Sequence, residues 1–529
     1  MHNLLTESLI RTTPGGPATL PELLARLARD EVDGFPALRP HQAPAWHMFL
    51  VQVAALAMHH AGTADLPLIA EVWSAALRGL TAAFPDDAPW CLCVADAREP
   101  AFLQPPVPEG VTLATEVPSA DALDLLITAK NHDLKQSVAH DSAAEDWVLA
   151  LVSLQTGEGY GGQGNYGISR MNGGSSSRTM LGLAPISPGP VRAQTPRPGA
   201  WFRRDVMVLL ETREAALEEA SHLGFAPSRG LGLTWLAPWP EGQQLALSAL
   251  DIWYVEACRR VRLFERDGRI IAGKGTSKAE RIAAKQLKGV LGDPWAPVHV
   301  NDAKSLTLAG NDFDYRMLAE LMTGDWSLPL LARPAAGETP GEGMLMVAAA
   351  LSRGNSKTEG FKSRILPLPS YALGALVDGV RRSTLGNLAK AQIDDIAAFD
   401  KALRDGLVLV PSGGGANLPK DHYAFTREAR DRFDRAADAV FFPHLWRRLA
   451  AQDEGHEMAA RVRRAFLDAL HAEAKRVFDT ALPAMPCPSL FRPRAEARAR
   501  QRFRSSLRRF FPSLFEAAAT QEALDDVDA

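Results

Sequence analysis

Residues 385–403 read LGNLAKAQIDDIAAFDKAL, and their apolar side chains recur at helical spacing. The repeating positions are Leu385, Leu388, Ile393, Ile396, Phe399 and Leu403. This spacing predicts an amphipathic helix, because side chains three and four positions apart share one face. A helix with one apolar face must bury that face against other elements. The stretch therefore predicts a packed helical domain at this end of the chain.

Three later segments repeat the pattern, at 426–442, 458–481 and the arginine-rich 491–511. Pro443 directly follows the first of them and is expected to bend or end that helix, because proline has no amide hydrogen to donate. Four such helices predict an antiparallel four-helix bundle as a C-terminal domain of residues 366–529.

The first 365 residues mix helical and strand patterns. The sequence predicts helices at 44–61, 121–135 and 143–154, and strands at 205–210, 231–236, 261–264, 269–272 and 344–351. The expected fold class is α+β, with a large mixed α/β domain of residues 1–365 before the helical bundle.

The chain has 529 residues, 46% of them hydrophobic, and a formal net charge of −4. No apolar run approaches the roughly 20 residues that cross a bilayer, and no signal peptide is visible. Four scattered cysteines, Cys91, Cys93, Cys258 and Cys487, do not make a disulfide framework. These features predict a cytoplasmic protein with no membrane partner.

Positive charge is concentrated in two runs of this acidic chain. Residues 259–288 hold ten Lys or Arg against three acidic residues, and residues 492–509 hold eight arginines against Glu496 alone. A charged run is most often a solvated face, but two of them in an acidic protein favour localised contact with a polyanion.

A glycine-rich run, TGEGYGGQGNYGISRMNGGSSSR, occupies residues 156–178. Glycine has no Cβ, so its backbone can lie close against a flat or charged surface. Flexible linkers usually lack anchoring side chains, whereas Tyr160, Tyr166, Ile168 and Met171 interrupt this run. The composition favours an ordered binding loop over a linker.

Two motifs suggest nucleotide or metal chemistry. GRIIAGKGT (268–276) nearly matches a phosphate-binding P-loop, but Gly275 stands where Ser or Thr would bind Mg²⁺. His132-Asp133 and His140-Asp141 resemble the HD dipeptide of metal phosphohydrolases, with His59-His60 as a further contribution. Such dipeptides are common by chance.

Other catalytic signatures are missing from the sequence. Cys91 and Cys93 have no second Cys or His pair at zinc spacing, and neither a GxSxG elbow nor an HExxH helix occurs. Their absence favours binding over catalysis. A polar stretch, LSRGNSKTEGFKSR (351–364), is either a functional loop or a linker between domains.

The order of several motifs resembles the CasA family, the large subunit of the type I-E Cascade complex of CRISPR defence. The motifs are LLTESLIR, FPALRPHQAPAWHMFLVQVAALA, REPAFLQP, GYGGQGNYGISRMNGG, LGLTWLAPWP and RGNSKTEGFKSR. Together they extend over essentially the whole chain. The resemblance implies a non-catalytic subunit of an RNA-guided complex that recognises the protospacer-adjacent motif (PAM) in DNA.

The resemblance also implies a set of DNA contacts. Family members approach the PAM from the minor groove with a glycine loop, a lysine and a polar loop. The glycine loop matches Gly159, Tyr160, Gly161 and Gly162; the lysine matches Lys285 or Lys288; the polar loop matches Lys130, Asn131 and His132.

In the family a wedge splits the first base pair beside the PAM, and it matches Asn355, Ser356 and Lys357. Lys357 stands where better-known members carry an amide; it can hold phosphate but cannot reproduce an amide's hydrogen-bonding pattern. The bundle of the family contacts the DNA strands. The resemblance therefore implies one of two roles for the arginines Arg494, Arg498, Arg502 and Arg508: phosphate contacts with a strand, or contact with a neighbouring protein subunit.

The implied partners are double-stranded DNA with a PAM, the CRISPR RNA, the other Cascade subunits and a recruited helicase-nuclease. No cofactor or metal is implied. Two other classes stay open from the residues alone. One is a metal-dependent HD-type phosphohydrolase, and the other is a non-catalytic helical scaffold, which would leave the glycine run unexplained.

Overall fold

A computed structural model describes residues 2–124, 142–186, 195–335, 338, 343–354 and 357–515, with all their side chains except those at 354, 357 and 358. The chain divides into two compact units. Unit 1 comprises Met1–Phe313 and Asp325–Leu373, and unit 2 comprises Asp314–Gly324 and Gly374–Ala529. The sequence predicted a single division at residue 365, whereas here the chain passes between units three times.

Unit 1 contains both helices and strands, and the described residues of unit 2 form helices and no strand. The described helices are α1 (Leu20–Ala28), α2 (Ala43–Ala61), α3 (Ala70–Leu80), α4 (Ala144–Gly157), α5 (Pro198–Glu211), α6 (Arg213–Glu219), α7 (Tyr315–Thr323), α8 (Ser370–Val377), α9 (Gly379–Leu407), α10 (Arg427–Ala450), α11 (His456–Ala484) and α12 (Arg492–Phe510). The strands are β1 (Ile10–Thr12), β2 (Gly16–Ala18), β3 (Thr115–Val117), β4 (Met180–Pro185), β5 (Leu231–Leu233), β6 (Leu250–Val255), β7 (Arg260–Arg266), β8 (Arg269–Gly275), β9 (Val298–His299), β10 (Lys304–Ser305), β11 (Trp326–Ser327), β12 (Met344–Gly354) and β13 (Lys357–Leu368).

The strands form five small sheets. Four are antiparallel, with orders β1-β2, β3-β8-β7, β10-β9-β11 and β13-β12-β4, and β5 pairs with β6 in parallel. The largest is built on the long β12–β13 hairpin, where Val347 lies opposite Ile365 on one side and Gly182 on the other. Seven tryptophans lie in the core that these sheets share with the helices of unit 1: Trp46, Trp73, Trp90, Trp147, Trp235, Trp253 and Trp295.

Helix α2 is the central element of unit 1, with 14 of its 19 residues buried. Gln52 is buried among its apolar side chains. Its side-chain nitrogen donates to the backbone oxygens of Trp253 (3.1 Å) and Tyr254 (2.7 Å) in β6. Because a buried polar group must be hydrogen-bonded, Gln52 fixes β6 against α2.

The four long helices of unit 2 pack through phenylalanines. Phe478 of α11 stacks on Phe503 of α12 at 4.4 Å, and Phe399 of α9 stacks on Phe511 at 4.5 Å. A Cβ at Gly406 would lie 2.9 Å from the Phe478 ring, so glycine lets α9 approach α11 closely. The predicted α+β class with a helical C-terminal region is confirmed.

One local prediction is wrong. Residues 205–210 belong to helix α5 and not to a strand, because they continue a 14-residue helix that begins at Pro198 and buries Phe202, Val206 and Leu209 on one face. Of the two outcomes expected at Pro443, a bend or an end of the helix, the end does not occur, because the helix continues to Ala450. Phe442 and Leu445 are buried on either side of the proline, so packing holds the turn that lacks a backbone hydrogen bond.

The sequence also gave no indication that helix α7 belongs to unit 2. The buried Tyr315 donates its hydroxyl to Asp434 of α10 (3.0 Å), and Arg316 pairs with the same carboxylate at 2.5 Å. The backbone N–H of Tyr315 donates to Asp438 (2.7 Å). One face of α10 therefore holds the start of α7, a helix that precedes it by more than a hundred residues.

We expect Asp434→Ala to lower the free energy of unfolding by about 1–3 kcal/mol, because the buried Tyr315 hydroxyl loses its acceptor. Thermal unfolding of the full chain measures this loss. Asp431→Ala is the matched control on the same helix. Asp431 pairs only loosely with the exposed Arg427, at 3.8 Å, so the change should stay within about 0.5 kcal/mol. Equal losses in both variants would contradict the role given to Asp434.

Candidate nucleic-acid interface

The glycine-rich run is an ordered loop that follows helix α4. Tyr160 N donates to Gly173 O (3.3 Å), Gly161 N donates to Asn165 O (2.8 Å), and Ile168 N donates to Glu158 O (2.9 Å). These bonds close one arm of the loop against the other, and we call residues 158–174 the glycine loop. Its backbone is held by its own polar groups, as expected for a binding loop and not for a flexible linker.

Close approach of the two arms requires glycine at particular positions. A Cβ at Gly174 would lie 1.8 Å from the carbonyl oxygen of Tyr160, which no side chain could occupy. Gly159 is buried, and a Cβ there would meet Gly173 O at 2.8 Å. These two glycines shape the loop from inside.

Tyr160 and Gly161 form the outer edge of the glycine loop. Tyr160 is 47% exposed, and its ring lies 6.1 Å from that of Tyr166. Gly161 is exposed, and a Cβ there would make only ordinary contacts, the nearest at 3.5 Å. Gly162 has φ +111°, a conformation that favours glycine. Of the four positions matched to the family's loop, the last three are thus accessible and Gly159 is not.

Four of the ten cations in the basic run at 259–288 are structural. Arg259, Arg260, Arg262 and Arg281 are buried, at 6%, 6%, 0% and 2% exposure. Their guanidinium groups donate to backbone carbonyls, such as Gly159 O from Arg259 and Thr234 O from Arg281. These four arginines therefore do not add to the positive surface of the run, because the carbonyl oxygens of loops enclose them.

Lys285 and Lys288 lie at the surface and meet the glycine loop. Both border a cavity of about 460 Å³ that is also lined by Tyr160, Tyr166, Asn172 and Gly173. A short 3₁₀ turn at Lys285–Leu287 presents them. The structure thus brings together two groups of site residues that the sequence placed more than a hundred positions apart.

The two lysines differ in their surroundings. Lys285 Nζ lies 3.6 Å from Glu280, whereas no described carboxylate forms an ion pair with Lys288. Lys288 has a left-handed backbone with φ 48°, and its carbonyl oxygen accepts from the N–H of Ser305 (3.0 Å). Lys288 is therefore the better placed of the two to hold a phosphate.

A buried polar cluster supports the floor of this cavity. Glu256 accepts from the N–H (2.9 Å) and hydroxyl (2.6 Å) of Ser169, and the Tyr254 hydroxyl lies 2.6 Å from the same Ser169 oxygen. Burial raises the pKa of Tyr254 to about 12 and also raises the pKa of Glu256. The Arg170 guanidinium lies over the Tyr254 ring at 4.1 Å. The cluster fixes the middle of the glycine loop to strand β6.

The polar stretch at 351–364 is part of the β12–β13 hairpin and not a linker. Gly354 pairs with Lys357, and the predicted wedge residues between them, Asn355 and Ser356, lie outside the described residues. The structure gives Lys357 only its backbone position, at the start of β13. The wedge assignment stays a prediction.

The predicted polar loop lies outside the described residues as well, because Lys130, Asn131 and His132 fall in 125–141. The HD dipeptides at 132–133 and 140–141 both fall in this segment and therefore also lie outside the described residues. The rest of the chain, as described, contains no group of three His, Cys, Asp or Glu side chains that could hold a metal ion.

The motif GRIIAGKGT (268–276), which nearly matches a P-loop in sequence, does not form a P-loop. Residues 269–275 form strand β8, which pairs with β7 along its length and with β3 at residues 272–274. A P-loop needs a loop that leads into a helix N-terminus, so that backbone N–H groups surround the phosphates. Here the strand ladders hold the backbone, and burial lowers the pKa of Lys274.

The four arginines of helix α12 that the resemblance implies as DNA contacts divide into two pairs. Arg494 donates to Gly413 O (2.8 Å), and Arg498 donates to Gly414 O, so both hold the loop after α9. Arg502 and Arg508 are exposed, and no described carboxylate pairs with either. Of these four arginines, the second pair has guanidinium groups available for a strand.

The sequence patterns did not identify the charged residues that anchor the glycine loop. Glu158 is 6% exposed and pairs with Arg353 of β12 and, at 3.8 Å, with Arg259. A buried acid beside a run of glycines is invisible without the fold, since nothing in the sequence distinguishes Glu158 from a surface glutamate.

Several solved structures are similar to this chain over nearly its whole length. Cse1 from Thermobifida fusca matches with a TM-score of 0.61 at 14% identity, over 96% of this chain and 98% of that one. Thermus thermophilus CasA (Cse1) matches at 0.59 and 14%, and Acidimicrobium ferrooxidans Cse1 at 0.58 and 15%, with the same coverage of both chains. The chain has the CasA fold.

The fold that the motif order implied is thereby confirmed. No family model matches the sequence, and no curated protein matches it either. The CasA fold is thus maintained here at very low identity. Among the described residues, no helix is long and apolar enough to span a bilayer.

We expect Glu256→Gln to stabilise the protein increasingly as pH rises from about 5 to about 8. The pKa of Glu256 is raised above its ordinary 4.5, so its ionisation opposes folding at higher pH, whereas Gln accepts the same Ser169 bonds without charge. Thermal unfolding midpoints across this range measure the difference. A difference that stays flat or shrinks with pH would show that the buried carboxyl ionises freely.

Proposed function

We propose that this chain is the large subunit of a type I-E Cascade complex and that it recognises the PAM in double-stranded DNA. One observation carries the proposal: in a chain with the CasA fold, Tyr160 of the glycine loop borders one cavity with Lys285 and Lys288. In RNA-guided complexes base pairing reads the target, while protein reads only a short adjacent motif.

The shape of the glycine loop suits the minor groove. This groove is about 6 Å wide, so an exposed backbone without side chains can enter where a bulky residue cannot. Gly161 presents such a backbone, with Gly162 beside it. The minor groove distinguishes mainly A·T from G·C pairs, so this mode of reading tolerates several related motifs.

The lysines supply affinity for the DNA backbone. Lys288 forms no ion pair with a described carboxylate, although Asp302 lies near enough to interact with its charge, and Lys285 lies 3.6 Å from Glu280. Phosphate contacts of this kind fix the position of a protein on the duplex and carry no sequence information themselves. The glycine loop would read the motif, and the lysines would hold the adjacent strand.

The remaining roles follow the same proposal. The hairpin β12–β13 would help open the duplex for R-loop formation, with Asn355, Ser356 and Lys357 as the predicted wedge and Lys130, Asn131 and His132 as a further predicted contact. Arg502 and Arg508 would guide a separated strand through phosphate contacts. CRISPR RNA, the other Cascade subunits and a recruited helicase-nuclease are the proposed partners. The chain itself would act in the cytoplasm without catalysis or a cofactor.

We expect Gly161→Ala to weaken PAM-dependent duplex binding about tenfold, and Gly161→Asp to abolish it. The protein has room for the added Cβ, so the loss would come from the narrow groove and, for aspartate, from phosphate repulsion. Gel-shift titration of the assembled complex measures it. A duplex without a PAM and the yield of assembled complex are the controls, and binding by both variants equal to wild type would refute the loop's role.

We expect Lys288→Gln to weaken duplex binding whatever the sequence and to reduce the slope of log affinity against log salt by about one. The glutamine keeps most of the side chain and removes only the charge. Lys285→Gln is the comparison, with a smaller expected effect because Glu280 already balances that lysine. Undiminished affinity of both variants at physiological salt would exclude the lysines as DNA contacts.

A further inference from the structure

Residues 175–177, which directly follow the glycine loop, share a set of backbone hydrogen bonds with strand β12 of the hairpin. Ser177 N donates to Leu351 O (2.8 Å), Arg353 N donates to Ser175 O (2.9 Å), and Ser176 bridges Ser352. The residues that follow the glycine loop thus run beside the last residues of β12. The two elements come from positions almost two hundred residues apart, yet they meet edge to edge.

Arg353 lies where a β-bulge interrupts the hairpin. Ser352 pairs with Gly360 and Arg353 pairs with Thr358, so Glu359 of β13 is the extra residue. A bulge bends the strand that carries the extra residue and increases the local twist of the pair. The Arg353 guanidinium donates to Glu158, at the first position of the glycine loop, and each side chain is only 8% exposed.

Glu158 also faces a second arginine. Arg259 lies 3.8 Å from the Glu158 carboxylate and donates to the Gly159 carbonyl (2.7 Å). Arg259 is in turn fixed by Gln155 of α4, which accepts from its backbone N–H (2.7 Å). The start of the glycine loop therefore has two supports, in addition to the contacts of Ser169 at its middle. Arg259 holds the start of the loop to α4 and to the start of β7, whereas Arg353 joins it by charge to the hairpin.

We propose that Arg353 and Glu158 are positioning residues that hold the hairpin at a fixed place relative to the glycine loop, so that PAM reading sets where the duplex is opened. This inference rests on the proposed function. A buried ion pair is held in one geometry, since moving its partners apart would leave buried charge less well compensated. Such a pair is therefore suited to keep two elements in a fixed relative position.

Three DNA substrates allow PAM recognition and duplex opening to be measured separately in the assembled complex. A PAM duplex with no match to the guide measures reading alone. A matched PAM duplex measures reading and opening together, as the rate of R-loop formation. The same matched target with mismatched, already separated strands beside the PAM removes the need for opening.

We expect Arg353→Met to slow R-loop formation on the matched duplex roughly tenfold, within the range of coupling between linked sites. Binding to the unmatched PAM duplex and to the pre-opened target should stay within about twofold of wild type, because Arg259 still holds the glycine loop. Arg353→Lys, which keeps the charge, should recover part of the rate. Lys362→Met is the control: it lies on the same hairpin and pairs with Asp312 at 3.1 Å, away from the glycine loop.

The other possible outcomes would contradict the inference. An unchanged rate on the matched duplex would show that the pair does not affect opening. Equal losses on all three substrates would show that it only supports the fold, and the double variant Glu158→Gln/Arg353→Met, which removes both charges, checks this if the single variant assembles poorly. A wild-type complex whose binding ignores the PAM would instead refute the proposed function itself.

Discussion

The buried carboxylate of Glu158 is the constraint on which the candidate site depends. It lies where the last turn of α4 gives way to the glycine loop, and two buried arginines from distant parts of the chain converge on it. Without those partners the carboxylate would move toward water, since an unpaired buried charge is strongly unfavourable. The loop could then no longer start at this place, and the Tyr160 edge would lose its fixed distance from the lysines.

Positive charge in this protein serves two purposes that the sequence does not distinguish. Arg259, Arg281, Arg494 and Arg498 all donate to backbone carbonyls of loops, where the planar guanidinium can satisfy several acceptors at once. Such loops have no regular ladder to bond their carbonyls, so an arginine takes its place. Among the described cations that were predicted to contact DNA, Lys285, Lys288, Arg502 and Arg508 are exposed. A count of charges along the chain therefore overstates the surface available to DNA.

The sequence predicted what depends on local periodicity. The existence of the four long helices of unit 2 and of helix α2 follows from the spacing of apolar residues, but not all of their ends do: α10 continues past the expected 442 to Ala450, and α9 begins at Gly379 and not at 385. Helix α7 was missed because its attachment to unit 2 depends on Asp434, a contact that no local pattern reveals. The strand expected at 205–210 was wrong because a short apolar run fits either period. In the site, the exposed glycines and the lysines were identified, whereas the buried anchors Glu158 and Arg353 were not, since burial is a property of the fold.

A protein that reads DNA through its backbone leaves little trace in its side chains. If Gly161 recognises a groove by its shape, the selected properties are the path of the main chain and the absence of a Cβ there, and any buried set of residues that holds this path will serve. Anchors such as Glu158 can then be replaced by other anchors while the loop keeps its place. This gives a physical reason for a chain that superposes on CasA proteins over 96% of its length at only 14–15% identity. Such a site is better recognised from the geometry of its loop than from a residue motif.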